Sequence, residues 1–253
     1  MKNVSKMMRG AMVAMTASVV LCGQAVAQET LKVGSTPSGI PFTFLDVKTN
    51  EIDGVMVDII NAIGEVEGFT PDVQATQWSA LIPSLTSGKI DIIAAAMYAT
   101  EERAKVVAFS EPVYSYGEGL FVAKDDTAAY ASLDDLEGKV VGAQVGTAYV
   151  APLQANDKLK EVRIYDTIAD IMRDVSLGRI DAGFGDRPIV AYQLSQGAAD
   201  VRLVPDYEST IVGDVAIAVR QNEPELLARM NSGLAKIKES GKLDEIIAEW
   251  GIE

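Results

Sequence analysis

Histidine is absent from the 253-residue chain, and cysteine occurs once, at Cys22. Without histidine the commonest zinc ligand and the usual general base near neutral pH are missing. Cys22 falls within the first 27 residues, so a chain processed behind them has neither a disulfide nor a catalytic thiol. Pro-rich and Ser-rich linkers are lacking, which favours joins made of ordered chain over flexible tethers. Positive charge is in the minority, with 22 Lys and Arg against 36 Asp and Glu. Nucleic acid and anionic membrane surfaces are therefore poor partners, and the acidity serves solubility. Long apolar runs are missing as well: "GAMVAMTASVVL", about 12 residues, falls short of the roughly 20 that span a bilayer.

That run has another use. Lys2, Lys6 and Arg9 precede it and Ala25 to Ala27 follow it, which is the pattern of a cleavable secretory signal over residues 1–27. Leu21 stands before Cys22 where a lipid-anchor signal takes a small residue, so export without an anchor is expected. Removing the segment takes three basic residues and leaves 19 basic against 36 acidic. The rest of the chain has ample length for one large or two medium domains.

From Leu31 short β-branched runs alternate with helical stretches: "LKVGS", "GVMVDIINAIGEVEG", "TPDVQAT", "WSALIPSLTSG", "KIDIIAAA". In the second of these Val55, Ile59, Ala62, Ile63 and Val66 recur at helical spacing and Gly68 suits a C-terminal stop. Strand, helix, strand in this rhythm predicts a parallel α/β sheet. The middle repeats it, and "SLTSGKIDIIAAA" (84–96) echoes "DVSLGRIDAGFGD" (174–186) in a Gly, basic residue, Ile, Asp core. Two similar lobes follow. The β-rich stretches "YGEGLFVAK" (116–124) and "TIVGDVAIAVRQ" (210–221) are the expected crossings, and two helices close the chain on lobe 1.

Ligands of open parallel sheets sit beyond the carboxyl ends of the strands. One echoing strand ends at Ala95, Ala96, Met97 and Tyr98, the other at Gly185 and Asp186. In "ATEER", Thr100 reads as a helix N-cap with Arg103 in the first turn, where a guanidinium and free amides favour a carboxylate. Residue type alone leaves open that Arg103 merely pairs with Glu101 or Glu102. Asp186 reads equally as an acceptor for an ammonium group or as a cap for "RPIVAYQL". In "GAQVGTAYV" the Thr147 amide opens a helix and can reach an anion, while the lysine of a phosphate loop is missing. Trp78 and Tyr98 either wall a ligand or belong to the core.

The order "PFTF", "IDGVMVDIINAI", "SALIPSLTSGKIDIIAAAMYATEERAKVVAFSEPVY", "SLDDLEGKVVGAQVGT" and "GRIDAGFGD" resembles the family 3 extracellular solute-binding proteins over residues 30 to 250. The resemblance implies a two-lobed periplasmic-binding-protein (Venus-flytrap) fold of type II with two hinge crossings. It implies lobe 1 at 28–115 and 213–253, lobe 2 at 116–212, and a periplasmic, monomeric receptor without cofactor or metal. Such a receptor hands a polar amino acid or derivative to the membrane permease of an ABC importer. Carried over residue by residue, Arg103 clamps the α-carboxylate, Asp186 takes the α-amino group, Thr147 adds an amide, and Trp78 packs on the ligand side chain.

Departures shift the expected ligand. Ala95 and Ala96 stand where hydroxyl or glycine residues are frequent, although the Ala96 carbonyl can still accept from an amine. Gly39 replaces a frequent aromatic, Thr36 stands where binders of basic amino acids can have Asp, and Tyr98 replaces a small residue. A neutral polar amino acid, an opine or a compatible solute is thereby favoured over lysine, arginine or histidine. Two other functions suit the same fold: a cyclohexadienyl dehydratase-like enzyme, for which Glu118 near the first crossing is the candidate acid, and a soluble sensor for a membrane receptor. Without histidine or a mature thiol, binding without catalysis is the expectation.

Overall fold

From Glu29 onward the described chain, residues 28–252 of the computed structural model, turns the apolar alternation into two rounds of strand and helix. The expected signal segment and Cys22 lie outside the described residues. In the first round β1 (Glu29–Ser35) precedes a small antiparallel sheet of β2 (Ser38–Gly39), β3 (Thr43–Asp46) and β4 (Glu51–Asp53). Then come α1 (Val55–Glu67), β5 (Phe69–Ala75), a 3-10 turn at Trp78–Ala80, α2 (Leu81–Thr86), β6 (Ile92–Tyr98), α3 (Glu101–Ala104) and β7 (Val107–Phe109). The long strand β8 (Tyr114–Ala123) leads into the second round of β9 (Val140–Gln144), α4 (Val150–Ala155), β10 (Glu161–Tyr165), α5 (Ile168–Ser176), β11 (Ala182–Asp186), α6 (Arg187–Ser195) and β12 (Val201–Leu203). Finally β13 (Val212–Arg220) returns to the first round, where α7 (Pro224–Glu239) and α8 (Lys242–Glu249) pack on α1.

Helix α1 forms because its apolar face has a sheet to cover: Val55, Ile59, Ala62 and Ile63 are buried. Val66, which belongs to the same periodic series, is 43 % exposed in the last turn before the helix stops. Gly68 ends it in the left-handed conformation at φ 75°, its N–H donating to Gly64 O at 2.8 Å. The large sheet has the order β10-β9-β11-β8-β13-β6-β1-β5. The predicted parallel pairing holds on either side, for β1 with β5 and β6 and for β9 with β10 and β11. At the centre it is corrected: β13 runs antiparallel to β6 and β8, and β8 antiparallel to β11. The chain leaves along β8 and comes back along β13, so two strands that cross between lobes must run in opposite directions.

The internal echo has a physical basis in both lobes. Gly88 (φ 75°) and Gly178 (φ 67°) each turn the chain from helix to strand in the left-handed region. Asp91 then gives its N–H to Lys32 O at 2.8 Å and takes Lys32 N on its carboxylate at 3.0 Å. Asp181 repeats both contacts with Val140, at 2.8 and 2.7 Å. The second strand begins at Ala182, three residues after Arg179, because Ile180 and Asp181 are spent on this turn.

The lobes have apolar cores at either side of the crossing. Val33, Ile59, Ile63, Ile92, Val215, Val219, Met230 and Leu234 are fully buried under α1 and α7, and Leu120, Leu136, Val141 and Phe184 in the second round. Each such aliphatic contributes about 1.5 to 3 kcal/mol relative to exposure. Among the described residues no helix is long and apolar enough to cross a membrane.

Candidate ligand-binding site

The cleft is built from the carboxyl ends of β6 and β11, as the strand-end rule predicts. Strand β6 does not end smoothly. Its register against β13 shifts between Val215↔Tyr98, Ala216↔Met97 and Ala218↔Ile93, so Ala94 to Ala96 bulge opposite Ile217 alone. Ala96 consequently lies at φ 53°, a left-handed conformation costly for a residue with a Cβ. Its carbonyl accepts from Tyr116 Oη at 3.3 Å, and Ala95 and Ala96 face the cleft.

Directly after the bulge Thr100 caps α3, its hydroxyl accepting from Arg103 N at 3.3 Å. The cap aims the Arg103 side chain back over the strand end, where Nη1 donates to Tyr98 O at 2.7 Å and Nη2 to Gly146 O at 2.9 Å. The surface pairing open from residue type is thus not made: Glu102 pairs with Lys105, and Arg103 turns into the cleft. The guanidinium lies over the Trp78 ring, 5.4 Å from its centroid. Gly146 belongs to the second round, so Arg103 bonds across the cleft. Gly146 sits at φ 72° with the Trp78 indole beside it, which closes the cleft at that point.

From the other side β11 delivers Asp186. Its backbone occupies the N-cap position of α6, but its side chain makes no capping hydrogen bond, so the capping alternative falls and the carboxylate faces the cleft. Burial pushes this carboxyl up to about 7 from its ordinary 3.8, against the opposing pull of Arg103 and Tyr116. Burial likewise lowers the Arg103 guanidinium, and Asp186 works against that shift. Thr147 follows the αL glycine after β9; its hydroxyl donates to Gln144 O at 2.8 Å and its N–H approaches the same oxygen at 3.3 Å.

Two small hollows that share Trp78, Ala96 and Asp186 lie between these residues, about 20 and 10 Å³, each with room for about one water molecule. One is lined by Trp78, Ala96, Tyr98, Arg103, Thr147, Ala148, Tyr149 and Asp186. The other continues past Gly39 and Trp78 between Phe42, Ile168, Ile189 and the polar groups of Thr36, Thr43 and Gln144. Thr36 and Thr43 hydroxyls bond each other at 2.7 Å, and Gln144 Nε2 donates to Asp166 O at 2.8 Å. All seven residues singled out in the sequence, Gly39, Trp78, Ala96, Tyr98, Arg103, Thr147 and Asp186, line these hollows. Missed were Ser38, Thr43, Gln144, Ala148, Tyr149, Ile168 and Ile189, which read as ordinary strand, turn or helix residues; the only signal for Tyr149 was its place two residues after "GT".

Glu118 does not line the hollows, although it is the cross-strand partner of Asp186 between β8 and β11 and its charge adds to the upward push on the Asp186 carboxyl. It is 1 % exposed and fully engaged: Oε1 accepts from Tyr207 Oη at 3.1 Å and from Thr210 N, and Oε2 from Ile211 N at 3.0 Å. These contacts fasten the segment that leads into β13.

The profile of the bacterial extracellular solute-binding proteins, family 3, matches residues 31–253. The putative ABC transporter arginine-binding protein 2 of Escherichia coli K12 is 34 % identical over 233 residues, 89 % of this chain and 92 % of that protein. An ancestral arginine-binding protein bound to glutamine superposes with a TM-score of 0.79 at 32 % identity, over 90 % of this chain and all of that one. An ancestral amino acid-binding protein described as a precursor of cyclohexadienyl dehydratase gives 0.79 at 30 % identity, over 87 % and 95 % of the two chains.

Proposed function

Because the chain belongs to the family 3 bacterial extracellular solute-binding proteins, we propose that it captures an amino acid between its lobes and delivers it to the membrane permease of an ABC importer. It works in the periplasm, as a monomer, after loss of residues 1–27. Lobe 1 comprises 28–115 and 213–253, lobe 2 116–212. The observation that carries this reading is the meeting of Arg103 from β6–α3 with Asp186 from β11 at one small hollow. A zwitterion matches that pair in charge, and because the hollows between the lobes have room for about one water each, the lobes must part to admit it. The guanidinium fork then takes the α-carboxylate, Asp186 takes the α-ammonium, and each lobe gains only when both are close.

The ligand side chain extends toward Gly39, Phe42 and Trp78, and there it is neutral. Among the described residues lining that hollow, Asp186 is the one acid, and it is committed to the amino group. A guanidinium or ammonium placed between Phe42, Ile168 and Ile189 would be buried without a counter-charge, at a cost of several kcal/mol. Thr36, Thr43 and Gln144 supply neutral polar contacts instead. This chain therefore prefers a neutral polar amino acid or derivative, unlike its arginine-binding relatives.

We read the protein as a binder rather than an enzyme: both Glu118 oxygens are engaged by Tyr207, Thr210 and Ile211, and Asp186, the one acid facing the hollow, is assigned to the ligand's amino group. A thermal-shift screen of the processed protein against amino acids, opines, ectoines and polyamines tests the reading, since ligand at about 100 times its dissociation constant adds about 2.7 kcal/mol. Stabilisation by neutral zwitterions, lost in Arg103→Ala and Asp186→Ala, is expected. Recovery of a chemically altered ligand by mass spectrometry would favour the enzyme.

A further inference from the structure

Two buried groups beside Arg103 have no role in the amino-acid clamp so far. Tyr98 Oη, from the end of β6, and Tyr149 Oη, from the residue before α4, belong to side chains only 4 % and 1 % exposed, and neither hydroxyl makes a hydrogen bond of good geometry, the Thr147 hydroxyl being the one group near that of Tyr149. Both residues line the hollow that Arg103 and Asp186 also line. A buried hydroxyl left unpaired is destabilising, which makes two at one spot a feature in need of a cause. Burial raises the pKa of both phenols, so they stay protonated and act as donors.

Neither ring is free to move its hydroxyl elsewhere. The Tyr98 ring packs against Tyr116, with centroids 5.1 Å apart, and against Gly213, where a Cβ would stand 2.3 Å from the ring. Tyr149 lies in the core under β9, and the neighbouring Thr147 hydroxyl, which gives its own hydrogen to Gln144 O, offers it only a weak, poorly aligned contact.

We propose that Tyr98 and Tyr149 are ligand-binding residues whose hydroxyls, one from each lobe, donate to the carboxylate that Arg103 grips; this rests on the amino-acid reading above. An ionised carboxylate offers about four lone-pair sites. The Arg103 fork takes two and the phenols take the others, so a fully enclosed carboxylate is satisfied only when the lobes meet. A carboxamide has a single acceptor oxygen and its own N–H groups, which would face the guanidinium. Two phenols and a guanidinium therefore select the free acid over the amide.

The test uses L-glutamine and L-glutaminamide as probes, with titration calorimetry and ligand-free melting of the wild type, Tyr98→Phe and Tyr149→Phe. Each variant should bind L-glutamine about five- to tenfold more weakly, one hydrogen bond's worth, while its ligand-free melting temperature holds or rises. The amide should bind the wild type much more weakly, and the variants should lose little further. Unchanged L-glutamine affinity in both variants, with binding still lost in Arg103→Ala, overturns the proposal and leaves the clamp standing. If the wild type does not take L-glutamine, the neutral-side-chain reading fails and melting decides alone: a fall in both variants means the hydroxyls have structural partners and overturns the proposal, whereas no fall upholds it.

Discussion

Asp186 makes ligand affinity a function of pH. Its carboxyl is held up to about 7 by burial, so in the ligand-free protein it carries a proton over much of the range between its ordinary 3.8 and 7. A bound ammonium group favours the ionised form, and binding below pH 7 must release that proton. Affinity is expected to fall roughly tenfold per pH unit below 7 and to level off above it. Calorimetry in two buffers of different ionisation enthalpy, at pH 6 and pH 8, measures the released proton. The same shift acts oppositely on ligand-free folding. The native state holds more protons than the unfolded chain between 3.8 and 7, so this group's contribution to stability declines as pH rises through that window. Ala96 carries a prediction of another kind. At φ 53° a β-branched residue is excluded, and Ala96→Val should cost about 2 kcal/mol or more in chemical denaturation, while Ala96→Gly is tolerated. Arg103 was legible because a capping Thr, an Arg and a strand end coincide within six residues. Tyr149 was not, since a buried aromatic at a helix start is identical in sequence whether it packs or binds.

The element placed to govern closure is the pair β8 and β13 with the segment that leads into β13. Gly117 pairs with Val212 and Tyr116 with Gly213, so each crossing strand carries a glycine beside the other. Glu118 fixes the approach: its two oxygens hold Tyr207, Thr210 and Ile211, and its carbonyl takes Ser209 Oγ at 2.7 Å. In Glu118→Gln the charge is gone and one terminal group becomes a donor facing a backbone N–H. Loss of about 2 to 3 kcal/mol is expected by urea denaturation, with ligand still bound. A loss of binding with full stability would instead return Glu118 to the ligand. The crossing strands were recognisable from their β-rich, glycine-bearing sequence. Their antiparallel partnership was not, because periodicity reports which face of a strand is buried and is silent on its direction. The three-strand sheet β2–β4 escaped notice for a simpler reason: strands of two to four residues are too short to display a period.

At the scale of the molecule two lobes share one sheet through two strands, and a ligand that touches both favours the closed arrangement. Small-angle scattering should give a larger radius of gyration without ligand than with it; equal values would remove closure from the mechanism. The two-lobe plan was visible in the echo of Gly, basic residue, Ile and Asp, since each lobe needs the same turn and the same carboxylate contact to start its strand. How the lobes meet was not, because the contact of Arg103 with Gly146 joins residues 43 positions apart by a backbone oxygen that any residue would offer. That contact gives the receptor an internal rival for its ligand. The Gly146 and Tyr98 carbonyls occupy the same guanidinium donors that a carboxylate needs, so an arriving molecule exchanges partners with the protein itself. Weak acceptors lose that exchange, and a neutral carbonyl compound at high concentration leaves Arg103 where it is. Only an anion displaces them, which makes the guanidinium a discriminating sensor before any side-chain pocket is consulted.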